Sequence, residues 1–254
     1  MKGRLFLVPT PLDHGCAEQT PLDDVLPLGT IKKAAAIACW ISENAKSTRA
    51  FLKRVDAVAP LAQPIQAQQI TELPREVHKK GDHAGAARFD ARPLLAPALQ
   101  GQDVGLVSEA GMPAVADPGS SVVRAAHQLG IEVLPLTGPV SLLLALAASG
   151  LNGQNFAFIG YLPQDASART TQIQQISRAV QQSGQTRIVI ETPYRNQVLL
   201  EALLSGLDGQ LRLCVASGLT LPDADGARSA SVAEWRQARW AVTPKAPAVF
   251  LIGR

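Results

Sequence analysis

Residues 103–135 read DVGLVSEAGMPAVADPGSSVVRAAHQLGIEVLP. Asp103 to Ser108 is a short apolar run of strand character, and Ile131 to Pro135 is another. Between them, Val122, Val123, Ala126 and Leu129 recur near helical spacing from Ser120 to Leu129, and Gly130 supplies the stop. Strand, helix and strand joined by short loops is the signature of a parallel α/β sheet. The same alternation extends both ways. Upstream, Arg4 to Pro9 reads as a buried strand, Ala34 to Ser42 as a second strand or, by its alanines, as helix, and Asn44 to Val55 as a helix. Downstream, Val140 to Ala148 reads as a buried helix. Phe156 to Leu162, Arg187 to Glu191, Leu211 to Ala216 and Ala248 to Ile252 read as strands. Thr170 to Ser183, Asn196 to Leu204 and Val232 to Arg239 read as helices. The glycine-containing stretch Ser149 to Gly153 reads as a joint between domains 1–150 and 151–254. Pro60 to Pro97, rich in Gln, Pro, His and charge, has weak periodicity and reads as long loops.

The composition supports a folded core. The chain has 254 residues, 46% hydrophobic and 18% charged, which excludes a disordered chain. A net charge of +3 permits an anionic partner without requiring one. Cys16, Cys39 and Cys214 are odd in number, widely spaced and without a CxxC, so neither a disulfide framework nor a zinc site is expected, and reduced thiols point to the cytoplasm. The four histidines, His14, His78, His83 and His127, show no metal-ligand spacing; His14 is a weak site candidate beside the first loop. No metal is expected. Pro9 and Pro11 cut short the apolar start of the chain, and no run approaches the roughly 18 apolar residues of a membrane span.

In a parallel α/β sheet, ligands bind beyond the carboxyl ends of the strands. Three loops take that position: Val8 to Leu12; Ser108 to Pro113 with Asp117 to Gly119; and Pro135 to Ser141. Each mixes small residues with proline. Glycine admits a ligand close to the backbone, and proline fixes the loop before the ligand arrives. Ordinary strand-to-helix turns have a similar composition. No GxGxxG follows a strand and no GxxxxGK[ST] occurs, so dinucleotide and P-loop sites lose their usual support.

The ordered set VPTP, SEAGMPAVADPG, PLTGPVS and the GYLP of Gly160 to Pro163 resembles the tetrapyrrole methylase superfamily. Within it, the chain looks most like the branch whose members methylate a ribose 2′-hydroxyl of small-subunit ribosomal RNA. It is closer still to a subgroup carrying ASGLNGQNFAFIGYLP (Ala148 to Pro163) and IETPYRN (Ile190 to Asn196). The resemblance runs from residue 4 to residue 252. It implies two α/β domains, with a parallel sheet in the first and a mixed sheet in the second, S-adenosylmethionine in the cleft between them, and a homodimer. It also implies a cofactor set: Pro9 and Thr10; Ser108, Glu109, Ala110, Gly111, Pro113 and Asp117; Thr137, Gly138, Pro139 and Ser141; and, from the second domain, Leu162 and the stretch around Ala246.

One motif departs from the relatives. Their AEDTR, after the second strand, is here Ser42-Glu43-Asn44-Ala45-Lys46. The glutamate is kept, while a lysine replaces the arginine and loses its planar fork. Glu43 is the candidate general base, with a helix N-terminal charge as its structural alternative. Lys46, Arg49 and Lys53 share one helical face and are candidates for RNA phosphates, as are Arg75, His78, Lys79, Lys80, His83, Arg88 and Arg92; a solvated surface explains either set equally well. Tyr194 and Arg195 follow a strand and are substrate candidates or braces. With aromatic residues at 4%, no stacking platform for RNA is visible. Three functions stay open: an RNA methyltransferase, a methyltransferase of a tetrapyrrole-like small molecule, and a cofactor-binding module without catalysis.

Overall fold

The computed structural model describes residues 1–13, 15–16, 18–74, 76–77, 89–222, 226–242 and 247–254. The chain forms two compact units, residues 1–14 with 20–140, and residues 15–19 with 141–254.

The first unit is built on strands β1 (Leu5–Val8), β2 (Cys39–Ser42), β3 (Gln69–Glu72), β4 (Val104–Val107) and β5 (Val133–Pro135). They lie in the order β3-β2-β4-β1-β5, and every pairing is parallel. Central strands of such a sheet are covered on both faces and carry continuous apolar runs. Accordingly β2 (CWIS) and β4 (VGLV) are buried at every residue. Gly105 in β4 leaves room for the Trp40 ring, which a Cβ there would meet at 2.6 Å. The helices around this sheet are α1 (Leu22–Val25), α2 (Leu28–Ala35), α3 (Ala45–Val58), α4 (Ala96–Leu99) and α5 (Ser120–Gln128). Helix α3 buries Thr48, Phe51, Leu52 and Val55, a stripe at helical spacing, and α5 buries Ser121, Val122, Ala125 and Ala126.

The ambiguous segment from Ala34 to Ser42 divides. Its alanines close α2 at Ala35, and its Cys-Trp-Ile run forms β2. Strand β3, together with a short 3₁₀ turn at Ile65–Ala67, lies in the stretch expected to be loops. As an edge strand with only Ile70 partly buried, β3 carries almost no apolar pattern.

The second unit begins with α6 (Ser141–Ser149). A sheet of β6 (Phe156–Tyr161), β7 (Thr186–Glu191), β8 (Arg212–Ser217), β9 (Gly226–Ser231) and β10 (Ala248–Gly253) follows, in the order β6-β7-β10-β8-β9. Only β6 and β7 are parallel, so the sheet is mixed as expected. Helices α7 (Ala166–Ser183), α8 (Asn196–Gly206) and α9 (Val232–Ala238) pack on one face around Ile173, Val180, Leu200, Phe250 and Trp235. Asp165 caps α7 by accepting from the Ala168 N–H at 2.8 Å. Helix α6 packs on β8, β9 and β10, so the units divide at Val140 and Ser141, ahead of the glycine-containing joint. It is also less buried than its sequence suggests. Leu142, Ala145, Leu146 and Ser149 face inward, while Leu143 and Leu144 are 49% and 37% exposed.

Candidate functional site

Because the first sheet is all parallel, the loops after its strands leave from one edge. Their sequences then lock them to one another. After β1, the Thr10 N–H donates to the Gly111 carbonyl and the Gly111 N–H to the Thr10 carbonyl, both at 3.0 Å. The Thr10 hydroxyl donates to the Ser108 carbonyl at 3.2 Å. Gly111 sits at φ +76°, in the left-handed region. After β5, Gly138 packs on the Pro9 ring so closely that a Cβ would lie 2.2 Å from Pro9 Cγ. The Thr30 hydroxyl of α2 donates to the Thr137 carbonyl at 2.8 Å. The structure thus joins Pro9, Thr10, Ser108, Gly111, Thr137 and Gly138. Ala110 and Pro113 belong to the same loop, and Gly111 lies against the Pro139 carbonyl.

The loop from 108 to 119 carries uncommon backbone. Ala114 and Ala116 have φ of +64° and +67°, a conformation costing alanine on the order of 1 kcal/mol or more. Gly119, at φ +136°, turns the chain into α5 and backs onto Leu106 of β4. The loop therefore folds back over the strand it left, which returns Asp117 to the end of β4.

Two further carboxylates meet it there. Ser42 pairs with Val107, so Glu43 and Glu109 leave the sheet beside each other. The Glu43 carboxylate accepts the Glu109 backbone N–H at 3.2 Å. That contact gives Glu43 a role other than the helix-terminal charge. The α3 cap is Asn44, whose side chain accepts the Lys46 N–H at 2.9 Å, and the Ala45 N–H donates to Glu72 at 2.7 Å. Burial, then the charges of Glu43 and Glu109, push the Asp117 carboxyl up to about 7. Beside these acids, the Ser42 and Ser108 hydroxyls are buried and have no hydrogen-bond partner among the described residues. Buried hydroxyls are normally satisfied, so two orphans at adjacent strand ends suit a polar ligand.

Helix α3 presents Lys46, Arg49 and Lys53 to solvent, opposite its buried stripe. A strong contact went unread in the sequence. Arg54 donates to both oxygens of Asp13 at 2.9 Å and to the Thr20 carbonyl at 2.6 Å, tying α3 to the segment after β1. Asp13 is 3% exposed, and no spacing rule links residues 41 apart.

The second unit holds the remaining candidates. Leu162 is buried in its core, and Ser141 opens α6. The Arg195 guanidinium pairs with the buried Glu191 at 3.1 Å, which accounts for it as a brace, whereas Tyr194 is 93% exposed. His127 is an exposed residue of α5, and Arg92 is paired with Asp90 at 2.8 Å. Ala246, His14, Arg75, His78, Lys79, Lys80, His83 and Arg88 lie outside the described residues. Among the described residues, no group of three His, Cys, Asp or Glu side chains is placed to hold a metal ion.

Residues 28–229 match the family profile of the tetrapyrrole (corrin/porphyrin) methylases. The ribosomal RNA small subunit methyltransferase I of Pseudomonas aeruginosa is 33% identical over 224 residues, 86% of this chain and 67% of that protein. The enzyme of the same name from Halalkalibacterium halodurans is 30% identical over 205 residues, 80% of this chain but 60% of its own length. Among solved structures, uroporphyrin-III C-methyltransferase from Thermus thermophilus, complexed with S-adenosylhomocysteine, superposes with a TM-score of 0.53 at 18% identity. That alignment covers 99% of this chain and 98% of the other, a likeness of fold.

Two outcomes are expected from this geometry. In Gly138→Ala and Gly111→Ala, the first against the Pro9 ring and the second in the left-handed region, the loops must shift. Each should lower stability by about 1–3 kcal/mol and weaken S-adenosylmethionine binding in calorimetry; unchanged affinity in both would place the site elsewhere. Asp117 goes from an ordinary 3.8 to about 7 on folding, so its ionisation costs stability increasingly as pH rises between those values. Asp117→Asn should therefore raise the melting temperature more at pH 8 than at pH 5, and equal shifts at both would contradict the buried carboxyl.

Proposed function

We propose a substrate for this chain, which belongs to the tetrapyrrole (corrin/porphyrin) methylases and is an S-adenosylmethionine-dependent methyltransferase: it methylates RNA, at a ribose 2′-hydroxyl of ribosomal RNA. The observation that carries this reading is the 33% identity, over 86% of the chain, to a protein named for ribosomal RNA. The exposed cations on the helix that follows Glu43 support it.

The residues present fit the donor. Interlocked loops after β1, β4 and β5 offer backbone groups fixed in advance, the orphan hydroxyls of Ser42 and Ser108 are available to it, and the carboxylates suit its cationic centre. S-adenosylmethionine supplies an activated methyl group on a sulfonium. The work left to the chain is to align the acceptor, exclude water and take its proton. Glu43 is the proposed base for the last task, and the Glu109 amide that donates to its carboxylate supports this reading. Lys46, Arg49 and Lys53 supply charge for RNA phosphates outside the acidic cluster. The proposed site residues are those of the three loops, with Ser141, Leu162 and Ala246 from the second unit, and Tyr194 as a substrate contact.

The reading includes a homodimer and a cytoplasmic location. The buried cysteines Cys39 and Cys214, outside any disulfide, support the location. No helix among the described residues is long and apolar enough to cross a membrane. A face of the second unit supports the dimer. Phe156 and Phe158 pair with Thr186 and Ile188, on the side of the sheet opposite the α7 and α8 core. They are about 40% exposed on an edge strand, and Leu143 and Leu144 of α6 are exposed as well. Large apolar side chains left exposed in this way suit an association surface. Sedimentation should show a dimer for the full chain and a monomer for Phe156→Lys/Phe158→Lys; a wild-type monomer would remove this part of the proposal.

The substrate is tested by tritiated methyl transfer into total RNA and metabolite extracts of a strain lacking the gene. Label should enter ribosomal RNA, and Glu43→Gln should slow transfer by roughly 10²–10⁴-fold. Replacing Lys46, Arg49 and Lys53 by alanine should weaken RNA binding and lower its log–log salt slope by about 2, with cofactor affinity kept. Label confined to metabolites would replace RNA by a small, tetrapyrrole-like acceptor. Absence of label from both extracts, with cofactor still bound, would indicate a module without catalysis.

A further inference from the structure

The second unit builds a stacking surface that a low aromatic content does not announce. Of the three tryptophans in the chain, two meet beside the edge of its sheet. The Trp235 indole is buried and anchored, its N–H donating to the Leu213 carbonyl at 2.8 Å. Trp240 stands edge-on to it, with ring centroids 5.0 Å apart and planes at 87°. Arg228 of β9 lies over Trp240, its Cζ 4.5 Å from the ring centroid. The register explains that position. β9 is an edge strand, on which Arg228 pairs with Val215 and Gly226 with Ser217 of β8. Directly paired residues share a face, and Val215 belongs to the helix-covered core. Arg228 therefore reaches out over the rim of that core. It lines a cavity of about 100 Å³ whose apolar walls include Val215, Trp235 and Val242, with Ser217 and Gly226 lining it as well. The Val242 wall is held by its N–H, which donates to Gln197 Oε1 at 3.3 Å. Among the described residues, the Arg228 guanidinium touches the Trp240 ring and forms no ion pair.

We propose that this cavity receives a nucleobase, an unpaired base of the RNA acceptor, stacked on the Arg228 guanidinium. The inference rests on the reading of the chain as an RNA methyltransferase. Single-stranded RNA is recognised by bases splayed out onto aromatic rings or guanidinium planes, with polar groups meeting the base edge. A guanidinium loose in water is a poor platform, because ordering it costs conformational freedom. Here Trp240 supports Arg228, and the anchored Trp235 supports Trp240, so less freedom remains to be lost. The apolar walls suit the ring of a base. The Ser217 hydroxyl suits its edge: it donates to the Pro247 carbonyl at 3.5 Å and keeps its lone pairs to accept a base N–H. A phosphate would need the charge of Arg228 but not the apolar walls. An arginine that only shielded the Trp240 ring would need no cavity at its side. Contact with a base also supplies what the cations of α3 cannot, since phosphate contacts carry no sequence information.

The probe is a short single-stranded oligoribonucleotide, and its control is the same strand with abasic residues, which keeps every phosphate. Binding of the full chain to each is followed by fluorescence polarisation, with and without saturating S-adenosylhomocysteine. The intact strand should bind on the order of tenfold more tightly than the abasic one, in both conditions. Arg228→Lys keeps the charge and removes the plane. It should bring the intact strand close to the abasic one while leaving the log–log salt slope unchanged. Arg228 is exposed, so the variant should melt with the wild-type chain. Equal affinity for the two strands in the wild-type chain would overturn the proposal without any variant. So would wild-type binding by Arg228→Lys, which would leave Arg228 as a charge in solvent. A base preference that S-adenosylhomocysteine abolishes would assign the cavity to the adenine of the donor, and would overturn the proposal too. Absence of binding by either strand would instead overturn the RNA reading, and this inference with it.

Discussion

A parallel sheet cannot distribute its loops. Once β1, β2, β4 and β5 run the same way, everything that follows them emerges at one edge, whatever its sequence separation. Residues as far apart as Pro9, Glu43, Glu109 and Gly138 meet there without any local interaction to bring them. The register does the positioning. Pairing of Ser42 with Val107 sets Glu43 beside Glu109, and pairing of Val8 with Val107 sets Pro9 beside Ser108. A one-residue slip of β2 against β4 would exchange its residues between the two packed faces and move Glu43 off the Glu109 amide.

The edge is then stiffened by contacts between loops rather than within them. The paired backbone bonds of Thr10 and Gly111 join the first loop to the second. The Pro9 ring fills the space that a side chain at 138 would take, joining the first to the third. Arg54 and Asp13 fasten the far end of the first loop to α3. Proline and glycine here work as complementary shapes, one supplying a rigid body and the other its absence. Loops ordered in this way give up little conformational freedom when a ligand arrives, so most of the contact energy can appear as affinity.

The legible part of the sequence follows from the same physics. Buried strands of a parallel sheet are written as apolar runs, so β1, β4 and the closing strand β10 can be read directly. Two edge strands lack that signal: β3 (QITE) and β9 (GARSAS) are mostly polar, because their exposed positions need not be apolar. The three proline- and glycine-containing loops are legible because backbone constraint has a composition. The resemblance of motifs, not spacing, names the cofactor. Pairings across the fold leave no trace in one sequence, which is why Arg54 with Asp13, and Glu43 with the Glu109 amide, emerge only from the structure. The role of Gly138 was legible as smallness but not as its cause: its neighbour is the Pro9 ring, and its backbone needs no left-handed turn.

Charge is arranged along one short stretch of chain. Glu43 belongs to a cluster whose buried Asp117 resists ionisation, while Lys46, three residues later, is in solvent with Arg49 and Lys53. A phosphate brought against the carboxylates would meet like charge at low dielectric, where repulsion is strongest. On the outer face of α3 it would meet cations in water. The two surfaces therefore differ in charge: carboxylates at the strand ends and cations on the helix face. Asn44 enforces the division. By capping α3 it fixes the turn at which Glu43 goes to the Glu109 amide and the basic face begins. Lys46 is a flexible point charge on that face, without the planar fork of an arginine.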